Sequence, residues 1–498
     1  MGLLSFIKKL TLKEGMASTN ESSKLPSNPH SQPMDFGHIV DQFKDCEDFR
    51  HRQFKDLEIE CIYFDTLVDK QILNEELLEW ISKGDSTPIH RQIDSDGILE
   101  IKSNKQAVMD VLNGHIVLFL DNKVFSLRAD GEEKRSIEES ETESVILGPH
   151  EAFIESSDVN ISLIRKRVRS SHLKTVSLSA GEITKTSITL LYIEDIAPIE
   201  ELKDLKERIN KIEYTGILDT NILVQMIDDQ PVSPFPQFFT TERPDVCASK
   251  LLAGRIIGIV EGSPYVFCAP VSFFDFFQSV DDYSQRWITG TFIRLLRLLA
   301  LVITLAFTAS YVSITTYHYE MVPQELLPSL IESRSKVPFP PLIEAIFLEL
   351  VIELLREAGA RLPTKIGQTI GIVGGIVIGQ AAVEAGITSN ILIIAVAVSA
   401  ISSFVIPSYV MSASIRIVRF SFILLAGFWG NMGLVFGLGL LVIHLSTLTS
   451  LKTPYMIPFS PTFFNDWLDT IIRAPFMMIK DRPEQVRTSN EDINKMKK

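Results

Sequence analysis

The largely apolar run from Leu342 to Glu357 carries Glu344, Glu349, Glu353 and Glu357, the last three placed four apart. On a helix that spacing makes one narrow acidic stripe. A carboxylate near mid-bilayer costs at least about 2.5–3.5 kcal/mol, so such a stripe cannot face lipid. Two uses remain open. It could line a cavity or pore, where repeated carboxylates replace part of a cation's hydration shell. It could instead hold helices together through ion pairs to Arg356, Arg361, Arg416 or Arg419. Directly downstream, Gly367, Gly371, Gly375 and Gly379 are also four apart, a small-residue stripe that lets another helix approach closely. His444 is either a proton relay or a hydrogen-bonded structural residue. GIVGGIVIG lies inside an apolar span with no preceding strand, which argues against a nucleotide loop.

The elements that must carry these residues divide the 498-residue chain in two. Residues 1–285 hold 30 Lys+Arg against 48 Asp+Glu, a balance of −18; the remainder has 18 against 14, or +4. An acidic α/β part therefore precedes an apolar helical one. The acidity argues against nucleic acid as a partner. Cys46, Cys61, Cys247 and Cys268 show no metal-ligand spacing and suit a reducing compartment. No P-loop, nucleophile elbow or HExxH is present, so the chain is not read as an enzyme, and no cofactor or metal is expected. MGLLSFIKKL does not read as a secretory signal.

Residues 1–34 read as a disordered arm rich in Ser, Asn and Pro. A first α/β lobe is expected over 35–150, with DQFKDCEDFRHRQF helical, IECIYFD a buried strand and DKQILNEELLEWISK an amphipathic helix. VMDVLNGHIVLFLDNKVFSL then reads as a helix end, a glycine and a hairpin turning at Asp121-Asn122. A second lobe, 151–285, repeats the plan: LLAGRIIGIVEGSPYVFCAP matches that segment at an offset of 140, with Gly254 on Gly114. Between them, Arg165, Lys166, Arg167 and Arg169 either meet anionic headgroups or an acidic neighbour, or form a solvated face.

Residues 286–480 read as a helical membrane domain of about 4–6 transmembrane or re-entrant segments. The first apolar run, 298–317, is flanked by Arg294 and Arg297, which by the positive-inside rule place the lobes on the cytoplasmic side. The last, 420–451, is long for one helix, and Gly427, Gly430, Gly433 and Gly437 predict a kink or break there. The basic tail, 481–498, is expected on the cytoplasmic side too.

The runs PFPQFFTTERPDVCASKLLAGRIIGIVEGSPYVF, FQSVDDYSQRW, EAGARLPTKIGQTIGIVGGIVIGQAAVEAG, IPSYVMSASIRIVRF and PYMIPFSPTFF, in this order, resemble the GerA family of spore germination proteins, in particular the A subunit of a nutrient germinant receptor. The resemblance implies a multi-pass protein of the spore inner membrane, working with a transporter-like B subunit that binds the nutrient and a lipoprotein C subunit. It also implies a ring-shaped homo-oligomer in membrane lipid, a pentamer being one candidate size, that releases cations from the spore core as an ion channel. A non-conducting scaffold that relays the signal, or the related germination protein associated with the dipicolinate channel, is the alternative.

Overall fold

The structure, a computed structural model, describes residues 36–54, 59–73, 98–120, 123–129, 131, 140, 143, 147–361 and 377–486. In the first lobe α1 (Phe36–Gln42) leads to β1 (Phe49–Phe54) and β2 (Ile59–Phe64). After β3 (Ile98–Ile101), α2 (Asn104–Leu112) precedes β4 (Ile116–Leu120) and β5 (Lys123–Leu127). The sheet is antiparallel, in the order β1-β2-β4-β5-β3. FRHRQF is therefore an edge strand and not helix. It pairs with β2 alone and leaves Arg50, His51 and Arg52 exposed, the charged character that keeps an open edge from recruiting other strands. Of the helix expected over 69–83, Lys70–Ile72 is helical between the caps Asp69 and Leu73, and 74–83 lie outside the described residues, as do Asp121 and Asn122.

The second lobe has the same sheet. Here α3 (Ser157–Arg167) precedes β6 (Leu173–Ala180) and β7 (Thr186–Ile193); α4 (Ile199–Asn210), α5 (Thr220–Ile227), β8 (Phe239–Thr241) and α6 (Pro244–Leu252) precede β9 (Ile256–Val260) and β10 (Val266–Ala269). The order, β6-β7-β9-β10-β8, copies the first lobe strand for strand. Helices α2 and α6 begin 140 residues apart, and each ends on a glycine in the left-handed region, Gly114 (φ 88°) and Gly254 (φ 91°). One face of the second sheet packs Ile257 and Leu191 on α3 and α6, and the other packs Ile256 and Leu190 on α4 and α5.

The C-terminal part is helical. α7 (Trp287–Tyr317), α8 (Leu327–Ser335), α9 (Pro341–Arg361), α10 (Asn390–Phe404) and α11 (Tyr409–Thr447) share a core of Ala309, Val312, Ala345, Val396 and Ile423. Among the described residues two helices, α7 and α11, are long and apolar enough to cross a membrane by length and composition; α9 carries too many charges, and α10 is shorter.

α11 is a hairpin of two helices. Gly430 breaks it at φ 60°, ψ −140°, a conformation only glycine adopts readily. The chain then doubles back so closely that a Cβ on Gly433 would lie 2.0 Å from the Leu425 carbonyl oxygen. Gly437 packs likewise against Leu425 and Phe422, residues that a straight helix would hold about 18 Å and 22 Å away. The tip meets the far end of α7, where the Tyr317 hydroxyl donates to the Gly427 and Phe428 carbonyls. Both ends return to the second lobe: Ser414 donates to the Pro234 carbonyl, and His444 Nε2 lies 2.9 Å from Ser233 Oγ.

A buried charge network in the helical region

Helix α9 presents its glutamates at three depths. Glu349 is fully buried and lies 2.8 Å from Arg419 Nη2 of α11, itself fully buried. Thr308 of α7 donates to its other oxygen at 2.9 Å. One turn on, Glu353 is partly exposed and accepts from Arg416 Nε at 2.9 Å, with Arg419 at 3.9 Å. Glu357 is 58% exposed and pairs with Arg361 at 2.6 Å on its own helix. Arg356 meets none of the three: it donates to Ser403 Oγ at 2.9 Å and stacks over Phe404. Hydroxyls on α10 extend the network, because Arg419 donates to Ser399 Oγ at 3.3 Å and Ser399 donates on to the Thr304 carbonyl. One arginine thus ties α7, α9, α10 and α11 together in an apolar surround. Such a pair holds only while both charges are present.

At the other end of α9, Glu344 is buried, paired with Arg334 at 3.2 Å and accepting from the Ser389 backbone N–H. Gly379 makes ordinary contact with Ile393, while Gly367, Gly371 and Gly375 lie outside the described residues. His444 is held by Ser233 and packs against Phe235, a structural setting.

Further charged centres sit where the lobes meet the helices. Asp282, fully buried, takes Arg294 at 3.1 Å and Arg297 at 2.7 Å. These two arginines are therefore neutralised inside the protein. Asp275 accepts from Lys250, Arg255 and the Ser272 backbone. Burial alone would raise its pKa, but Arg255 and Lys250 outweigh that and hold the carboxyl well below the usual carboxylate range. The basic run between the lobes is likewise structural. Arg165 is buried and grips Asp48 of the first lobe through Nε and Nη2, at 2.5 and 2.6 Å, over the Phe64 ring. Arg167 pairs with Glu151, and Arg169 donates to Asn113. Beside this clasp lies a polar cavity of about 410 Å³ lined by residues of both lobes, among them Asp65, Asp158 and Thr189. Among the described residues no cluster of His, Cys, Asp or Glu has the arrangement of a metal site.

Sequence reasoning missed Asp48, Asp275 and Asp282. Asp282 did have a signal: it precedes Arg294 and Arg297 by 12 and 15 residues at the entry to the first apolar helix.

Comparison with known proteins agrees over the whole described length. The family model for the Bacillus/Clostridium GerA spore germination protein matches residues 37–485. Spore germination protein GerQA of Bacillus cereus is 44% identical over 450 residues, covering 87% of this chain and 90% of that protein. Spore germination protein KA of Bacillus subtilis (strain 168) is 38% identical over 441 residues, covering 86% and 81%. A crystal structure of the N-terminal domain of the A subunit of the Bacillus megaterium spore germinant receptor GerK3 aligns at 27% identity with a TM-score of 0.37, covering 48% of this chain and 93% of that one. The chain, with two α/β sheets ahead of a helical bundle built on buried ion pairs, belongs to the GerA family of spore germination proteins.

Proposed function

We propose that this chain is the A subunit of a spore germinant receptor. Several copies form a ring in the spore inner membrane around a path for monovalent cations. The path opens when a transporter-like B subunit binds nutrient, with a lipoprotein C subunit completing the receptor. The domains follow the division at 35–150, 151–285 and 286–480, with the lobes and the tail on the core side. The helical part crosses or enters the membrane in about 4–6 segments, α7 and the two arms of α11 among them.

The observation that carries this reading is the graded exposure of the acidic helix. Glu349 is neutralised inside the bundle by Arg419, whereas Glu357 stands open at one end of the same stripe. Copies arrayed with this end of α9 inward would gather these carboxylates around one axis, the arrangement an acidic path calls for. Gly367, Gly371, Gly375 and Gly379 would then let neighbouring helices approach and slide. The scaffold reading draws on the same network, because Glu349 and Glu353 both have arginine partners and serve as structure.

Potassium efflux from liposomes holding the full chain, with its B and C partners and nutrient, separates the two. Glu357→Gln is expected to lower the flux with assembly intact. Unchanged flux would move the wall off α9, and no flux from an intact, nutrient-responsive complex would leave the scaffold.

A further inference from the structure

The foot of α7 is built inside out. Over Trp287–Leu299 the charged side chains, Arg294 and Arg297, are buried against Asp282. The large apolar ones point outward: Trp287, Ile288, Phe292 and Leu295 are all exposed. A strap from the C-terminal region, residues 471–479, lies alongside with the same inversion. Its one charge, Arg473, is buried under Tyr283, donating to that residue's carbonyl at 3.1 Å, while Ile472, Met477 and Met478 are exposed. The two segments are fixed to each other. Thr291 Oγ1 donates to the Arg473 carbonyl at 3.2 Å, and Arg294 donates to the Asp469 carbonyl two residues before the strap.

We infer that this foot and strap form one interfacial collar that sits in the headgroup and upper acyl region of the bilayer, so that the membrane reaches beyond the apolar run 298–317 to the floor of the second lobe. The inference rests on the membrane reading above and deepens it by naming what covers this surface. Three observations favour lipid as the occupant. The exposed apolar face of the foot continues without a charged break into Val302 and Phe307 higher on the same helix. At 31 residues α7 is about 46 Å long, against roughly 30 Å of hydrocarbon, so about 16 Å of it belongs at an interface. The collar also has the composition of such a layer: an indole at its lower edge, long flexible apolar side chains beside it, and exposed Lys480 immediately past them on the water side. In water this polarity would be unfavourable, with apolar groups outward and ions inward.

The test uses the full chain in phospholipid vesicles, with a polarity-sensitive thiol label placed one site at a time by I288C, M477C, V302C and E182C. The four native cysteines are buried. Lipids brominated near the glycerol end of the acyl chain are expected to quench the label at 288 and 477 about two-fold or more, as for interfacially seated groups. Lipids brominated near the methyl end should quench 302, and neither lipid should quench 182, far out on the second lobe. Quenching at 302 with none at 288 or 477 would overturn the collar and leave the membrane reading standing. No quenching at any site would overturn both. Disulfide cross-linking between copies through I288C, without quenching there, would assign the surface to a second copy of the chain and not to lipid.

Discussion

Arg419 illustrates how much one side chain can determine here. It is fully buried, and its guanidinium meets Glu349 and approaches Glu353 while donating to a serine of a third helix. Removing it leaves a buried carboxylate without its ion pair, still accepting from Thr308. Arg419→Met is expected to cost roughly 3–5 kcal/mol of bundle stability, the cost of stranding a buried charge. The double variant Arg419→Met, Glu349→Met should regain most of that loss, since both ions then leave together. Thermal unfolding of the two variants in detergent checks this, and a double variant no more stable than the single one would refute the pairing. The four-residue period of the glutamates and the neighbouring arginines were legible in the sequence. Which arginine takes which glutamate was not, because the partners come from helices more than 60 residues apart. Arg356 illustrates the limit: it is three residues from Glu353, yet it turns to Ser403 and Phe404 on another helix. Asp282 stands just ahead of Arg294 and Arg297 in the sequence, but the fold alone distinguishes it from its neighbour Asp281, by burying it.

At the scale of elements, the hairpin in α11 depends on backbone proximity that no side chain can replace. Gly433 packs its Cα against the Leu425 carbonyl, so the carbon added by Gly433→Ala would meet backbone at 2.0 Å and force the two arms apart. Gly439 has open space around the same position. Gly433→Ala should therefore lower the melting temperature of the bundle and expose α11 to proteolysis. Gly439→Ala should leave both unchanged or gain about 0.5–1 kcal/mol from helix propensity. Equal behaviour of the two would mean the arms do not touch. The glycine cluster marked this place in the sequence, but not the reversal, since apolar composition continues through Gly430 on both sides. The lobes were more legible. A glycine following α2 and another following α6, at the same offset, announced the repeated helix–hairpin unit because each needs a left-handed helix end. FRHRQF misled because its apolar residues stand only at its ends, so nothing in the pattern separates an exposed edge strand from a helix turn.

For the whole molecule, the question is how a change in the lobes reaches the helices. The segment 229–238 of the second lobe is one such connection, and it meets both arms of the hairpin. The Pro234 carbonyl accepts from Ser414 at the foot of one hairpin arm, and Ser233 meets His444 at the foot of the other. The Pro236 carbonyl accepts from Tyr455 at 2.5 Å, and that of Gln237 from Ser450 at 2.7 Å, both just beyond the hairpin. Phe235 fills the space between with Phe273, Met411 and Leu445. In three of these bonds a hydroxyl of the helical part donates to a main-chain carbonyl of the lobe, so deleting hydroxyls loosens the joint without unfolding either side. The double variant Ser414→Ala, Tyr455→Phe removes two such bonds, each worth about 1 kcal/mol. Amide exchange in 230–238 and 444–455 should accelerate about five- to thirty-fold, while β6 and β7 keep their protection. Exchange rising equally in β6 and β7 would mean that lobe and helices open as one cooperative unit. A selective rise would mark 229–238 as a separable joint, the property a subunit needs if a signal in its lobes is to move its membrane helices while both stay folded.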